Sequence, residues 1–169
     1  MHILQLCPRV PFPPHDGGAI AMYDVAAGLA RAGHQVTVLA ANTPKHQQSA
    51  EVLSHLPRVR LLTVPVDTRL NPVKALKNLF LGNLPYNVER FVSQQMVAEL
   101  TQLLRTERFD VVQVEGTFVA WYVDVIRAEA PTCRWCYALI MWSIPSGRCW
   151  LSGSAILLKP CICTIWPMG

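Results

Sequence analysis

Hydrophobic positions along the chain switch between short continuous runs and helical spacing, and the switching predicts the elements. His2–Cys7 (HILQLC) is a largely apolar run of strand length. From Ala19 to Ala32, the residues Ile20, Met22, Tyr23, Ala26, Ala27 and Leu29 recur at three- and four-residue steps, the period of a helix. Gly33 closes that helix in the C′ position, and Gln35–Ala41 (QVTVLAA) follows as a buried, β-branched strand. Strand, helix and strand in this order form a βαβ unit, which favours parallel pairing and a right-handed crossover.

The alternation continues. Val59–Val66 (VRLLTVPV) reads as a third strand, with Pro65 marking its exit or an edge. Pro72 opens a short helix to about Leu81. A longer helix is predicted from about Asn87 to Arg105, on the stripe Val88, Phe91, Val92, Met96, Leu100, Leu103 and Leu104. Phe109–Val114 (FDVVQV) is a fourth strand, Glu115–Thr117 its exit turn, and Phe118–Ala128 a further helix. No internal repeat or low-complexity tract interrupts the order. The fold class is α/β, a Rossmann-like open parallel sheet.

At about residue 131 the pattern stops and the composition changes with it. Five of the six cysteines and four of the five tryptophans lie beyond that point, and all eleven acidic residues lie before it. Arg134, Arg148 and Lys159 are basic, so residues 1–131 carry 12 basic and 11 acidic groups. The net charge of +4 is therefore mostly a property of the tail, and it gives little ground for steering acidic partners. With 51% hydrophobic residues the 169-residue chain is no disordered segment, and it is too weakly basic for a dedicated nucleic-acid binder. No apolar run reaches the roughly 18–20 residues of a bilayer span, and no basic n-region precedes an apolar one. A cytoplasmic location, at or near the inner face of a membrane, is the expectation.

In open parallel sheets ligands bind beyond the carboxyl ends of the strands. Three loops qualify: Pro8–Gly18, Asn42–His46 and Glu115–Thr117. Two readings of the first stand side by side. Gly17 and Gly18 at a helix N-terminus allow close backbone approach, and the free N–H groups with the helix dipole favour a phosphate. Alternatively the segment is a plain helix-entry turn with Asp16 as N-cap. It is not GxGxxG, which disfavours a dinucleotide site.

The run Met1–Cys7, the Pro-rich loop with Gly17-Gly18 and the segment Gly33-His34-Gln35-Val36-Thr37-Val38 resemble a family 4-type GT-B glycosyltransferase in its N-terminal half. Phe109–Val114 resembles a later strand of that half. The resemblance covers about residues 1–131 and implies transfer of a sugar from a nucleotide-diphosphate sugar to a glycan or lipid-linked acceptor. It implies no metal or other cofactor, and a cleft between two Rossmann-like domains. It places Gly17 and Gly18 at the donor's phosphates, and Asp16, Glu115, Gly116 and Thr117 on loops facing sugar or acceptor. It assigns no catalytic residue in this chain. Glu115 has a second reading as a solvated turn carboxylate. A non-catalytic α/β module binding a nucleotide sugar or a protein is the alternative, and a sugar-nucleotide epimerase fragment a further one.

Other candidates carry less. His15, His34, His46 and His55 lack metal-ligand spacing, and His34 reads as a helix-end residue. Glu107 and Glu115 have the E-x7-E spacing that this family uses in its other half, which is read as chance. The helix near Pro72–Leu81, with Arg69, Lys74 and Lys77 beside its apolar positions, reads as packed on its own core or as a peripheral membrane contact.

Cys133-x-x-Cys136 and Cys161-x-Cys163 lack matched zinc spacing. Residues 132–169 are read instead as an out-of-frame tail without a defined fold. With suitable synonymous codons, one base added after Pro131 turns the sequence into APDLPVVLRAHNVEYPIW. That supplies a strand and then a segment resembling the histidine-bearing one of this family. Met141 and Trp142 have single codons, and their last bases open the restored V and E codons. On this reading the chain lacks that histidine and the second domain, is inactive alone, and leaves the sheet edge without its next strand. Sequencing the gene across codons 128–135 tests it.

Overall fold

The computed structural model describes residues 1–69, 78, 85–131 and 133–138. Five parallel strands form one sheet: β1 (His2–Cys7), β2 (Gln35–Asn42), β3 (Val59–Pro65), β4 (Val111–Glu115) and β5 (Arg134–Ala138). Their order is β3-β2-β1-β4-β5. The direction of winding reverses between β1 and β4, so the loops after these two strands part and leave a crevice at their carboxyl ends.

Helices cover both faces. Helix α1 (Gly17–Arg31) packs Met22 and Ala26 against Cys7, Val36, Val38 and Ala40 on one face. On the other, α3 (Gln94–Thr106) and α4 (Val123–Glu129) bury Met96, Leu100, Leu103 and Ile126 against Leu4, Leu6, Val112 and Val114. Such two-sided burial explains why the strands read as continuous apolar runs rather than alternating ones. Helix α1 ends as its glycine predicts: Gly33 has φ +87°, its N–H bonds the Ala30 carbonyl, and the His34 N–H bonds that of Leu29. This is a Schellman closure, and it settles His34 as a helix-end residue.

Three expectations need correction. The single helix over 87–105 is broken into α2 (Tyr86–Glu89) and α3. Ser93 caps α3 by accepting the Met96 N–H, and the buried Tyr122 hydroxyl accepts the Ser93 N–H and donates to the Phe91 carbonyl. Backbone groups at 91 and 93 are thus satisfied outside a helix, which apolar spacing cannot reveal. The helix expected over 118–128 begins as a 3-10 turn, Thr117–Tyr122, before α4. The edge of β4 is not bare, since β5 pairs along it from Val111↔Arg134 to Glu115↔Ala138. Strand pairing uses backbone groups, so a segment with no alternating side-chain pattern can still fill an edge. Arg134–Ala138 of the expected tail therefore belong to the sheet; residues 139–169 and most of the helix near Pro72–Leu81 lie outside the described residues.

Candidate functional site

A cleft of about 900 Å³ opens over the carboxyl ends of the strands. The three loops singled out in the sequence meet there: Arg9 and Gly18 from the first, Thr43 to His46 from the second, Glu115 to Phe118 from the third. Thr68, Arg69, Arg90 and Phe91 also line it. Sequence order separates these groups widely; the parallel sheet brings them together because every strand exits at the same edge.

At the first loop, Asp16 is the N-cap of α1. Its Oδ1 accepts the N–H groups of Gly18 (3.0 Å) and Ala19 (3.1 Å) and an ion pair from Arg9. The Arg9 guanidinium, with the two N–H donors, holds the Asp16 carboxyl down to about 2. Asp16 is thus committed to the helix end rather than free to meet a sugar. Gly17 does not take the left-handed conformation, and a Cβ built there meets nothing within 4 Å. Neither backbone nor packing requires a glycine at this place.

Glu115 differs from its solvated reading. It is 2% exposed at the end of β4. Strand register sets Gln5 beside Gln113, and both amides donate to Glu115 Oε1, at 2.8 and 2.6 Å. Gln5 also donates to the Met22 carbonyl at 3.1 Å, while its own carbonyl oxygen is buried without a partner. Oε2 of Glu115 has no partner among the described residues and is not sealed from the cleft. Burial pushes the Glu115 carboxyl above its ordinary value, and the two amides only partly oppose this. Burial and the Glu115 charge likewise push the Cys7 thiol up, so it is no nucleophile.

The raised carboxyl has a consequence for stability. A buried acid that resists ionisation costs the folded state nothing while both states are protonated. The cost grows as pH rises through the unfolded value towards the folded one. Glu115→Gln keeps an acceptor oxygen for both amides. It is expected to raise the thermal unfolding midpoint at about pH 7 and to leave it little changed at about pH 3. Equal shifts at both pH values, followed by circular dichroism, would contradict this account.

The rest of the lining is cationic and aromatic. Arg9 donates to His46 Nε2 at 3.3 Å. Partial burial and then the charges of Arg9 and Lys45 hold the His46 pKa down. Arg90 donates through Nη1 to the Thr68 carbonyl (3.0 Å) and lies 5.8 Å from the Tyr86 ring centre. Phe118, 39% exposed, stacks on Phe91 at 5.0 Å between centroids. Gln5, Gln113, Arg9, Lys45 and Arg90 escaped the sequence reading. A polar residue inside an apolar strand, as Gln5 is in HILQLC, was the one available signal.

Glu107 is remote from this site. It bonds Arg60 at 2.7 Å beside His2, at the opposite end of the strands, so its spacing to Glu115 has no joint meaning. Among the described residues no three His, Cys, Asp or Glu side chains are grouped to hold a metal ion. No helix among them is long and apolar enough to cross a membrane.

A family model described as a glycosyl transferase 4-like domain matches residues 16–158. No curated protein sequence matches the chain significantly. Among solved structures, the C-terminal domain of a hydrogenase from Pyrococcus furiosus is 21% identical, with a TM-score of 0.56 over 81% of this chain and 90% of that one. A second crystal structure of that domain is 17% identical, with a TM-score of 0.48 over 82% and 91%. The first of these is a likeness of fold.

Proposed function

The chain belongs to the glycosyl transferase 4-like family, and from that premise we propose that its cleft serves the transfer of a hexosyl group. The donor is a nucleotide-diphosphate sugar and the acceptor a glycan or a lipid-linked sugar. A lipid-linked acceptor brings the cleft to a membrane surface. Gly17 and Gly18 face the donor's phosphates, and the Glu115–Thr117 turn faces the transferred sugar or the acceptor. Gly18 lines the cleft and Gly17 directly precedes it, and Gly17 carries this reading: a glycine that neither conformation nor packing demands leaves its backbone open to a ligand. Asp16 already holds the Gly18 and Ala19 N–H groups, so the phosphate approaches over the backbone at Gly17. No metal or other cofactor enters the proposal. The cleft among the described residues is open on one side, and water is not excluded from an open site. On this reading residues 1–169 alone bind the donor without transferring its sugar.

Calorimetry of the purified chain with UDP- and GDP-sugars tests the proposal. Binding of one of them is expected, and Gly17→Ala should weaken it about tenfold or more, the equivalent of roughly 1.4 kcal/mol. The same change should leave folding stability unaltered or raised by about 0.4–1 kcal/mol, because alanine fits the helical conformation. No binding by the wild-type chain, or equal binding by Gly17→Ala, defeats the assignment. Sugar transfer by the chain alone would defeat the reading that the open cleft binds without transfer.

A further inference from the structure

The near-neutral charge of the domain conceals a separation that only the cleft reveals. Four cations, Arg9, Lys45, Arg69 and Arg90, share its lining with one carboxylate, Glu115. Arg9 is spent on Asp16 and His46, and Arg69 lies 3.9 Å from the Asp67 carboxylate. Lys45 has no partner among the described residues, and Arg90 makes only the Thr68 bond and the Tyr86 ring contact. Among the described residues the buried Arg90 Nε has no acceptor, and its Nη2 meets none. A guanidinium held by one hydrogen bond and an aromatic face, with its Nη2 unused, is preorganised for an anion's oxygen.

We propose that the acceptor handled by this cleft carries a phosphate group, gripped by Arg90 and Lys45, with Glu115 Oε2 accepting a hydroxyl of its sugar or polyol part. The proposal rests on reading the cleft as a sugar-transfer site. It separates two anion positions: the donor's phosphates at Gly17, and the acceptor's phosphate at Arg90 and Lys45, which line the same cleft. Exposed Phe118, also in the lining, offers a flat apolar face to a sugar ring. Phosphate on a soluble sugar and phosphate in a lipid headgroup present the same oxygens to Arg90.

The full chain is titrated with glucose 6-phosphate, glucose and UDP, and floated with phosphatidic acid or phosphatidylcholine vesicles. Glucose 6-phosphate should bind where glucose does not. Arg90→Gln and Lys45→Gln should each weaken it about tenfold, the usual size of a lost charge-assisted hydrogen bond. Arg31→Gln, at the far end of α1, should have no effect. Among the described residues Lys45 makes no hydrogen bond or ion pair, so its variant separates ligand binding from folding. UDP binding should be insensitive to both cleft variants. Binding to phosphatidic acid vesicles alone, lost in both variants, supports the proposal with a lipid as source. Equal binding of glucose and glucose 6-phosphate with no vesicle preference, or equal loss of UDP binding in the variants, overturns it. UDP-sugar binding without phosphate-ester or vesicle binding defeats this inference alone. Phosphate-ester binding without any nucleotide-sugar binding defeats the donor assignment alone.

Discussion

Tyr122→Ala is expected to cost about 3–5 kcal/mol, the range for removing a large buried ring, and to leave much of the chain unfolded at ambient temperature. Tyr122 is fully buried, among the largest side chains of the core. Its ring lies with Met96, Leu100 and Ile126 in the cluster that joins α3 and α4 to the sheet. The hydroxyl adds a second duty, donating to the Phe91 carbonyl at 2.6 Å and accepting the Ser93 N–H at 3.0 Å. Truncation therefore opens a cavity and also strands two backbone groups at the break between α2 and α3. Tyr122→Phe isolates the second effect and should cost about 1–3 kcal/mol, the price of leaving buried polar groups unpaired. Urea denaturation followed by circular dichroism measures both. A loss below about 1 kcal/mol for Tyr122→Ala would mean that the two helices are held elsewhere.

Gly116→Ala should lose about 1–3 kcal/mol through the backbone alone. Gly116 has φ 75° and ψ 172°, a region that residues with a Cβ hardly enter. A Cβ there meets nothing within 4 Å, so the cost is torsional and not steric. The chain must relax by turning the Glu115–Thr117 segment, which moves Glu115 and Thr117 in the cleft together. Weaker ligand binding should accompany the lost stability, whereas Gly17→Ala should weaken binding without it. A Gly116→Ala variant as stable as the wild-type chain in thermal unfolding would show that the turn has another accessible conformation.

Much of the architecture was legible because each element obeys a local rule. HILQLC and QVTVLAA announce strands buried on both faces, and Gly33 stops α1 where a left-handed residue is needed. The break in the helix at Arg90–Ser93 was not legible. Its cause is the Tyr122 hydroxyl, which lies 29 residues from Ser93 along the chain. Strand β5 was missed for a related reason: its pairing depends on the free backbone edge of β4, not on its own side-chain pattern. At the site, the glycine pair and the Glu115–Thr117 turn could be picked out by their position after strands. The character of Glu115 could not, since its surroundings include Gln5 on a neighbouring strand, 110 residues away along the chain.

The sequence by itself determined the α/β class, the strands β1 to β4 and the edge at which ligands would gather. Hydrophobic periodicity and helix-end chemistry act over a few residues, so they are written locally. Only the tertiary structure decided that Glu115 is a buried carboxylate and that Arg9, Lys45, Arg69 and Arg90 share one cleft. Charge totals add along a chain, whereas electrostatic fields depend on distance, and the parallel sheet brings distant residues to one edge.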